Sequence, residues 1–511
     1  MVDNCILISG RSFDQTTWLR RTNADINSQA ELVVRTDASS NPTDDVRVVS
    51  ETDVIEQILT YISQSVIPQF SLLVPDYERQ VSIAINLMHY AVTPALKSHM
   101  TGGFSGPAQT LTSRSKHFSL IIDCLTALSH QASLMKVWRR EVWDFFCDGK
   151  FFPSSASTDL VTMAPDLMPW WRHLVKTLLA SEKDKFAEIL AKVTATSSGP
   201  ALFANREHEA LLRSVAVRRL SFVVWAGTVN QYLPSLPQIQ EKLVDILKNN
   251  PHPAVQIEVF LCLRVLLCRV SSHHMSNFWP MLLTELMRLC LQQLRREGSE
   301  EADQANLFLS ACKFLDLLFI LGTDDFLVHQ WIFITDTIDA LYGSRSASYA
   351  LLDQLSTRLL SMPSRHGIRH VSVGLDNGTY PAMLITDSDD PTNLVYRQTS
   401  KPGEEIATKL GVSDGDLQAL GTRPLKRPII RVRSVASIRE LDAFVHNASV
   451  QAYQTAYTMA EPDMQFIEAL LVSDLMYFDF GSTSSGAAQQ MQMQQMQSGI
   501  GMQHPSSEFS S

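Results

Sequence analysis

The sequence predicts an all-α fold, a HEAT- or armadillo-like solenoid of helical hairpins with a small β or extended element near its C-terminus. The first observation behind this prediction is the run 251–331, where short polar breaks separate three helix-length apolar segments. The second is the stretch 255–270, whose apolar residues occupy nearly every side of a helix, so that neighbouring helices must enclose it. Because a single hairpin leaves one apolar face bare, these segments need to stack on one another to be stable.

The regular spacing of helices after Glu207 is the third observation. Helices are expected at about 207–229, 237–248, 253–270, 277–297, 303–322 and 325–341. Successive pairs repeat at roughly the 40–47 residues of HEAT or armadillo units. Pro237, Pro253 and Pro280 lie near helix starts, where a proline loses only an N–H that has no partner within the helix. This pattern predicts a helical solenoid over residues 51–361.

The remaining segments differ in composition from this solenoid. Residues 1–50 mix strand-like pieces with polar stretches, and we expect a loosely ordered lead-in there. Residues 362–480 are expected to form a mixed strap that ends in amphipathic helices. The capping-box spacing of Ser437 and Glu440 predicts the start of one of these helices. Strand-like pieces of this strap lie at 369–375, 382–385 and 428–432. The Gln/Met/Ser-rich tail 481–511 is predicted to be disordered, because its composition cannot offset the entropy of ordering.

Composition and charge limit the function classes. With 45% hydrophobic and 19% charged residues, the 511-residue chain has the composition of a folded protein, long enough for two domains or one repeat array. A net charge of −10 argues against nucleic acid as a partner, because an acidic surface repels phosphates. The N-terminus lacks the apolar core of a signal peptide, and no window of about 18 residues is apolar and uncharged. We therefore expect a cytosolic chain or one peripheral to a membrane.

The seven cysteines show no pattern typical of disulfides, metal sites or redox centres. Their number is odd, none has C-x-x-C spacing, and four lie within apolar helical stretches, so we interpret them as small buried hydrophobes. That usage indicates a reducing compartment. The pair His273-His274 lies at a helix junction without a third ligand at metal spacing, which favours a cap or surface role over a metal site.

Motifs for catalysis and cofactor binding are also missing from the sequence. It contains no G-x-S-x-G elbow, Walker loop, H-E-x-x-H helix or dinucleotide fingerprint. Ser133 with Lys136, and Ser310 with Lys313, match S-x-x-K, but the companion motifs of that chemistry are absent, so chance is the better account. We predict no catalytic, cofactor-binding or metal-binding residues and a chain that is not an enzyme. A hydrolase built on one of these serines is the least favoured hypothesis.

One basic segment stands out on this acidic chain. It consists of Arg423, Lys426, Arg427, Arg431, Arg433 and Arg439, with no acidic residue before Glu440. Clustered Lys and Arg side chains next to an anionic leaflet each contribute on the order of 1 kcal/mol of binding free energy. These six residues are our candidates for contact with an anionic membrane or a partner. The alternative, which the residues favour, is a strap that pairs with acidic residues of the solenoid near Glu300, Glu301 and Asp303.

Several long strings resemble the C-terminal region of the Dopey family of Golgi and endosome trafficking proteins. They include VWDFFCDGKFF at 142–152, WWRHLVKTLL at 170–179, LFLSACKFLDLLF at 307–319 and RPIIRVRSVASIRELDAF at 427–444. Two longer strings occupy 217–247 and 256–289. Their order agrees with that of the family, and together they cover roughly residues 50–480. Family members are several times longer and begin with a separate helical domain, so the chain corresponds to their C-terminal part.

The resemblance implies a peripheral protein on the cytosolic face of the Golgi and endosomes, and in the cytosol, acting in traffic between these compartments. It implies a complex with a large scaffold related to Arf exchange factors. A P-type ATPase lipid flippase and conventional kinesin are further partners that the resemblance suggests. It implies no cofactor.

The function expected from the sequence is therefore that of a non-enzymatic adaptor or scaffold in traffic between Golgi and endosomes. Stacked helices would present a long face to partner proteins. The alternative is a purely structural helical scaffold that assembles with itself and has no membrane role.

Overall fold

The structure is a computed structural model that describes residues 51–100, 108–152, 167–194, 206–249, 252–296, 302–335, 349–361, 425–457 and 460–476. The predicted lead-in 1–50, the strand-like pieces at 369–375 and 382–385, and the tail 481–511 lie outside these residues. Two compact units are present: residues 1–189 with 476–479, and residues 190–475 with 480–511. Each unit is helical.

The first unit contains seven helices among its described residues, and an eighth begins in it. They are α1 (Glu51–Tyr61), α2 (Phe70–Leu73), α3 (Tyr77–Leu87), α4 (Thr93–Met100), α5 (Ala108–Ser129), α6 (Met135–Cys147), α7 (Met168–Ser181) and α8 (Lys183–Thr194). Short π-helical turns at Ile62–Val66 and Met88–Val92 follow α1 and α3.

Helix α5 organises the first unit, because α1, α6 and α7 all pack against it. An aromatic cluster fills the core between α6 and α7, where the Phe145 ring stacks on Trp171 at 5.1 Å and Phe151 meets both rings edge-on. These side chains are almost fully buried. They serve as core and not as a surface for stacking a ligand.

Among its described residues, the second unit contains the helices predicted from the regular spacing and three more that follow them. They are α9 (Arg206–Ala226), α10 (Leu236–Asn249), α11 (Pro253–Arg269), α12 (Trp279–Arg295), α13 (Ala302–Leu321), α14 (Asp324–Leu327), α15 (Leu351–Ser361), α16 (Asp442–Tyr457) and α17 (Met464–Met476). The first five agree with the predicted bounds to within three residues at each end. Pro253 and Pro280 occupy the first turns of α11 and α12, as predicted.

Helices α9, α11 and α13 form the central layer of the second unit. Helix α11 packs on α9 along one side and on α13 along the other, which explains why its apolar residues surround the whole helix. Helices α10 and α12 complete the hairpins and contact α11 and α13. The prediction of an all-α fold built from stacked helical hairpins is confirmed.

Helix α13 is the one described helix that is long and apolar enough, taken by itself, to cross a membrane. The segment 116–129 passes the same test only together with 132–147, across a bend of 106°. Of the most apolar window of α13, 78% is buried within the protein, and Lys313 and Asp316 lie inside it. Core helices pass this test too, and α13 is a core helix of its unit.

Two local predictions were wrong. The helix expected at 325–341 ends at Leu327, because a turn and the 3-10 helix Gln330–Ile332 follow it; residues 336–348 lie outside the described part. The strand-like stretch 428–432 forms no strand, and Asp316 of α13 accepts the N–H of Ile430 in place of a neighbouring strand. The β element is instead a two-residue parallel pairing of β1 (Leu425–Lys426) with β2 (Glu461–Pro462).

Four of the six described cysteines are buried, as the sequence predicts: Cys124, Cys262, Cys290 and Cys312. Cys147 and Cys268 are half-buried. Burial raises the pKa of Cys262 and Cys290 to about 12, so these thiols stay protonated and unreactive at neutral pH.

The strap and the buried ionic cluster as a candidate functional site

The basic segment lies along α13 as an extended strap, which we define as residues 425–441. Its backbone has no neighbouring strand beyond Lys426, so side chains supply the missing acceptors. Asp316 Oδ2 accepts the N–H of Ile430 at 2.8 Å, and Asn306 Oδ1 accepts the N–H of Val435 at 2.8 Å. Ile430 and Val435 are themselves buried. Two polar residues of α13 therefore fix the strap at both ends of its extended part.

The strap ends in the 3-10 helix Ile438–Leu441, which leads into α16. Its start is the predicted capping box: the Ser437 hydroxyl accepts from the backbone of the first turn, and Glu440 accepts the N–H of Ser437 at 3.1 Å. This motif satisfies two helix-start donors locally.

Three of the candidate basic residues, Arg427, Arg431 and Arg433, contact groups of their own unit. Arg427 Nε donates to Asp463 Oδ2 at 2.7 Å, and Arg431 lies 5.1 Å from the centre of the Phe466 ring. Arg433 Nε donates to the Ser473 hydroxyl at 3.0 Å. Lys426 and Arg439 are half-buried, and Arg423 lies outside the described residues.

In this geometry the strap pairs with acidic residues of its own chain, which is the arrangement of the alternative prediction. Glu300 and Glu301 lie outside the described residues, and the acceptors that hold the strap are Asp316 of α13 and Asp463 at the start of α17. Contact of the strap with a membrane or a partner stays a prediction.

Beneath the strap lies a buried ionic cluster, defined as Arg218, Glu258, Arg264, Lys313 and Asp474. The Asp474 carboxylate, on α17, accepts from Arg264 at 2.7 Å and from Lys313 at 2.9 Å. These two cations come from α11 and α13, so one carboxylate joins three helices. Its side chain is only 14% exposed, and those of Arg264 and Lys313 are 9% and 8% exposed.

Arg218 of α9 completes the ionic cluster at the end of α17. It donates to both carboxylate oxygens of Glu258, at 2.9 and 2.7 Å, and to the carbonyl oxygens of Asp474 and Leu475 at 3.1 and 3.0 Å. The last carbonyls of a helix have no partner within it, so Arg218 caps the C-terminus of α17. A further pair, Arg269 with Glu468 at 2.6 Å, fixes the middle of this helix.

Two carboxyl groups near the strap have pKa values that are shifted in opposite directions. Burial by itself would raise the pKa of Asp474, but the charges of Lys313 and Arg264 and their hydrogen bonds lower it to about 2. Burial raises the pKa of Asp316 to about 7, although the backbone N–H groups of Ile430 and Ile429 favour its ionised form. The first group is held as a carboxylate, whereas the second changes charge near neutral pH.

A cavity of about 20 Å³ lies between the strap, α13 and α17. Its walls include Arg264, Asp316, Arg431 and Ser473. This volume has room for about one water molecule and not for an organic substrate. Two of these ionisable groups join separate elements: Arg264 donates to Asp474 of α17, and Asp316 accepts the N–H of Ile430 in the strap.

The other residues singled out in the sequence do not assemble into a site. Lys313 of one S-x-x-K match points its amine at Asp474, and His273 and His274 lie in an exposed 3-10 turn. No group of three or more metal-binding side chains occurs in the part of the chain that the structure describes.

Sequence reasoning missed the ionic cluster. The available signal was the presence of Arg264, Lys313 and Asp316 inside helices that are otherwise apolar on every side, since buried charges require partners. Nothing in the sequence indicated that Asp474 is the partner of these buried cations.

Replacement of Asp474 by alanine is expected to destabilise the second unit by about 3–5 kcal/mol, because Arg264 and Lys313 are left buried without a counter-charge. The free energy of unfolding in urea is the measurement. Glu468→Ala is the control: its side chain is 38% exposed, so the loss expected there is about 1 kcal/mol or less. Equal losses of unfolding free energy in the two variants would contradict the proposal that Asp474 contributes more to stability than Glu468.

The raised pKa of Asp316 predicts a pH dependence of stability. Because the folded-state pKa of about 7 lies above the ordinary value of 3.8, the folded protein holds an extra proton between these pH values. The free energy of unfolding should therefore fall as the pH rises through this window. Asp316→Asn, which retains an acceptor for Ile430 but never ionises, should flatten that part of the profile. The control Asp324→Asn, at an exposed carboxylate, should leave the slope as it is in the wild type.

Comparisons with known proteins identify the family. The family model described as DOP1 C-terminal matches residues 8–458. Protein DOP1 homolog of Drosophila pseudoobscura pseudoobscura is 30% identical over 320 residues, which make up 60% of this chain and 11% of that protein. Protein DOP1 homolog of Drosophila melanogaster is 25% identical over 410 residues, 73% of this chain and 14% of that protein.

A vertebrate relative, Protein DOP1B of Mus musculus, is 26% identical over 371 residues, which cover 64% of this chain and 15% of that protein. The chain thus spans a small fraction of the length of the curated relatives that it matches. No solved structure matches it. Because the family model covers most of the chain, the protein belongs to the Dopey, or DOP1, family and carries that family's C-terminal region.

Proposed function

We propose that this chain is a non-enzymatic adaptor in membrane traffic between the Golgi and endosomes, acting on the cytosolic face of those membranes. The observation that carries the proposal is the match of residues 8–458 to the DOP1 C-terminal family model, combined with the traffic role that resemblance to the Dopey family implies.

The structure of the second unit supports a binding role. Helical hairpins stacked side by side bury each other's apolar faces and leave long surfaces suited to protein partners. The charged side chains that meet inside the described part of this unit join α9, α11, α13 and α17 to one another. Such use of charge stabilises the surface that the helices present.

The partner that we propose is a large scaffold related to Arf exchange factors. A P-type ATPase lipid flippase and conventional kinesin are further proposed members of the same complex. Membrane recruitment would come chiefly from these partners, because the strap arginines are half-buried and matched to groups of their own unit.

The proposal is tested by affinity purification of the tagged chain from cytosol plus membranes, followed by protein identification. We expect recovery of the Arf-exchange-factor-related scaffold, and no recovery with an unrelated helical-repeat protein carrying the same tag. Light scattering on the purified chain decides the rival function. A stable homodimer that captures no scaffold would favour the self-assembling structural protein and overturn the adaptor proposal.

The role of the strap is tested separately with vesicles. Arg433→Gln together with Arg439→Gln is expected to leave binding to phosphatidylserine-containing vesicles unchanged, because Arg433 donates to Ser473 of its own unit and Arg439 is half-buried. Sedimentation with vesicles is the measurement, and Arg295→Gln, at an exposed arginine of α12, is the matched control. If the strap binds anionic lipid, the double variant should lose on the order of 2 kcal/mol, a roughly 30-fold weaker binding that the control does not share.

A further inference from the structure

Four large apolar side chains are exposed together after α13. Leu327 is 50% exposed, Val328 69%, Trp331 64% and Tyr349 87%. We call these four residues the apolar patch. Single exposed apolar residues are ordinary, but a cluster that includes tryptophan and tyrosine is typical of a binding surface.

A backbone hydrogen bond brings the two chain segments of the apolar patch together. The N–H of Leu352 donates to the carbonyl oxygen of Phe333 at 3.0 Å. Trp331 lies two residues before Phe333, and Tyr349 lies three residues before Leu352. This hydrogen bond therefore places the segment that carries Tyr349 beside the segment that carries Trp331.

A rigid base supports the apolar patch. The buried Phe326 ring lies 6.1 Å from Trp279, 5.5 Å from Phe319 and 6.3 Å from Phe333, measured between ring centres. Asp325 accepts from Trp279 Nε1 at 3.1 Å, which fixes α14 on α12. A surface that is already ordered loses little conformational entropy when a partner binds.

The charge beside the apolar patch indicates what it would bind. Asp324 is exposed at the start of α14, three residues before Leu327, and forms no ion pair with any described residue. An acidic group at the rim repels an anionic lipid surface and attracts a cationic side chain. The combination fits a protein segment that carries apolar side chains with Lys or Arg beside them.

We propose that the apolar patch is a docking surface for an amphipathic helix of a partner protein. The apolar face of that helix packs on Val328, Trp331 and Tyr349, and a Lys or Arg at its edge pairs with Asp324. The proposal goes beyond the traffic role, since it assigns a place and a chemistry of binding without depending on the identity of the traffic partner.

The test uses two synthetic probes, amphipathic peptides about 18 residues long, or five helical turns, one built from Leu and Lys and the other from Leu and Glu. Their binding to the whole chain is measured by fluorescence anisotropy. The Leu/Lys peptide should bind more tightly, and Trp331→Ala should weaken that binding at least about tenfold. Asp324→Lys should reverse the preference in favour of the Leu/Glu peptide.

Val328→Ala and Val229→Ala form a matched pair of variants, because Val229 is 59% exposed elsewhere on the same unit. Only the first should weaken binding of the Leu/Lys peptide. Equal affinity for both peptides, or equal effects of the two valine variants, would overturn the proposal. Loss of vesicle binding in Trp331→Ala without loss of peptide binding would also overturn it, in favour of a lipid-binding patch. None of these results depends on recovery of the traffic scaffold, so the two proposals can fail independently.

Discussion

The second unit depends on a carboxylate that is shared between two buried cations. Transfer of an ammonium or guanidinium group from water into a protein core costs several kcal/mol, and only a well-placed counter-charge offsets that cost. Arg264 and Lys313 both find this counter-charge in Asp474. The two cations belong to neighbouring helices of the stack, and Asp474 belongs to the last described helix. Arg264 and Lys313 therefore have this counter-charge only when α17 packs on the central layer.

The strap follows from the same constraint. Between Lys426 and the 3-10 helix that ends the strap, the chain runs extended over α13 without a neighbouring strand, and buried N–H groups need acceptors. Asn306 and Asp316 provide them from a helix that is otherwise apolar. A basic segment that looks in the sequence like a free cationic surface is therefore largely engaged in closing the unit, with Arg427 paired to Asp463 at the start of α17.

These features agree with a protein that binds partners through its surface. Buried charge joins the helices, while the apolar patch and the acid at its rim are exposed. The match to the DOP1 C-terminal family model shows membership of the Dopey family, and the traffic role is our proposal for it.

The sequence by itself determined those structural features that arise from residues close to one another in the chain. Helix bounds, the enclosed helix α11, the capping box at Ser437 and the burial of the cysteines all follow from residues a few positions apart, because helical periodicity and capping are local. Tertiary structure alone decided the partners of the buried charges. Asp474 meets Lys313 and Arg264 across 161 and 210 residues of sequence, and no periodic pattern relates positions so distant. The apolar patch is of the same kind, since a tertiary hydrogen bond from Leu352 to Phe333 joins the segments that carry Tyr349 and Trp331.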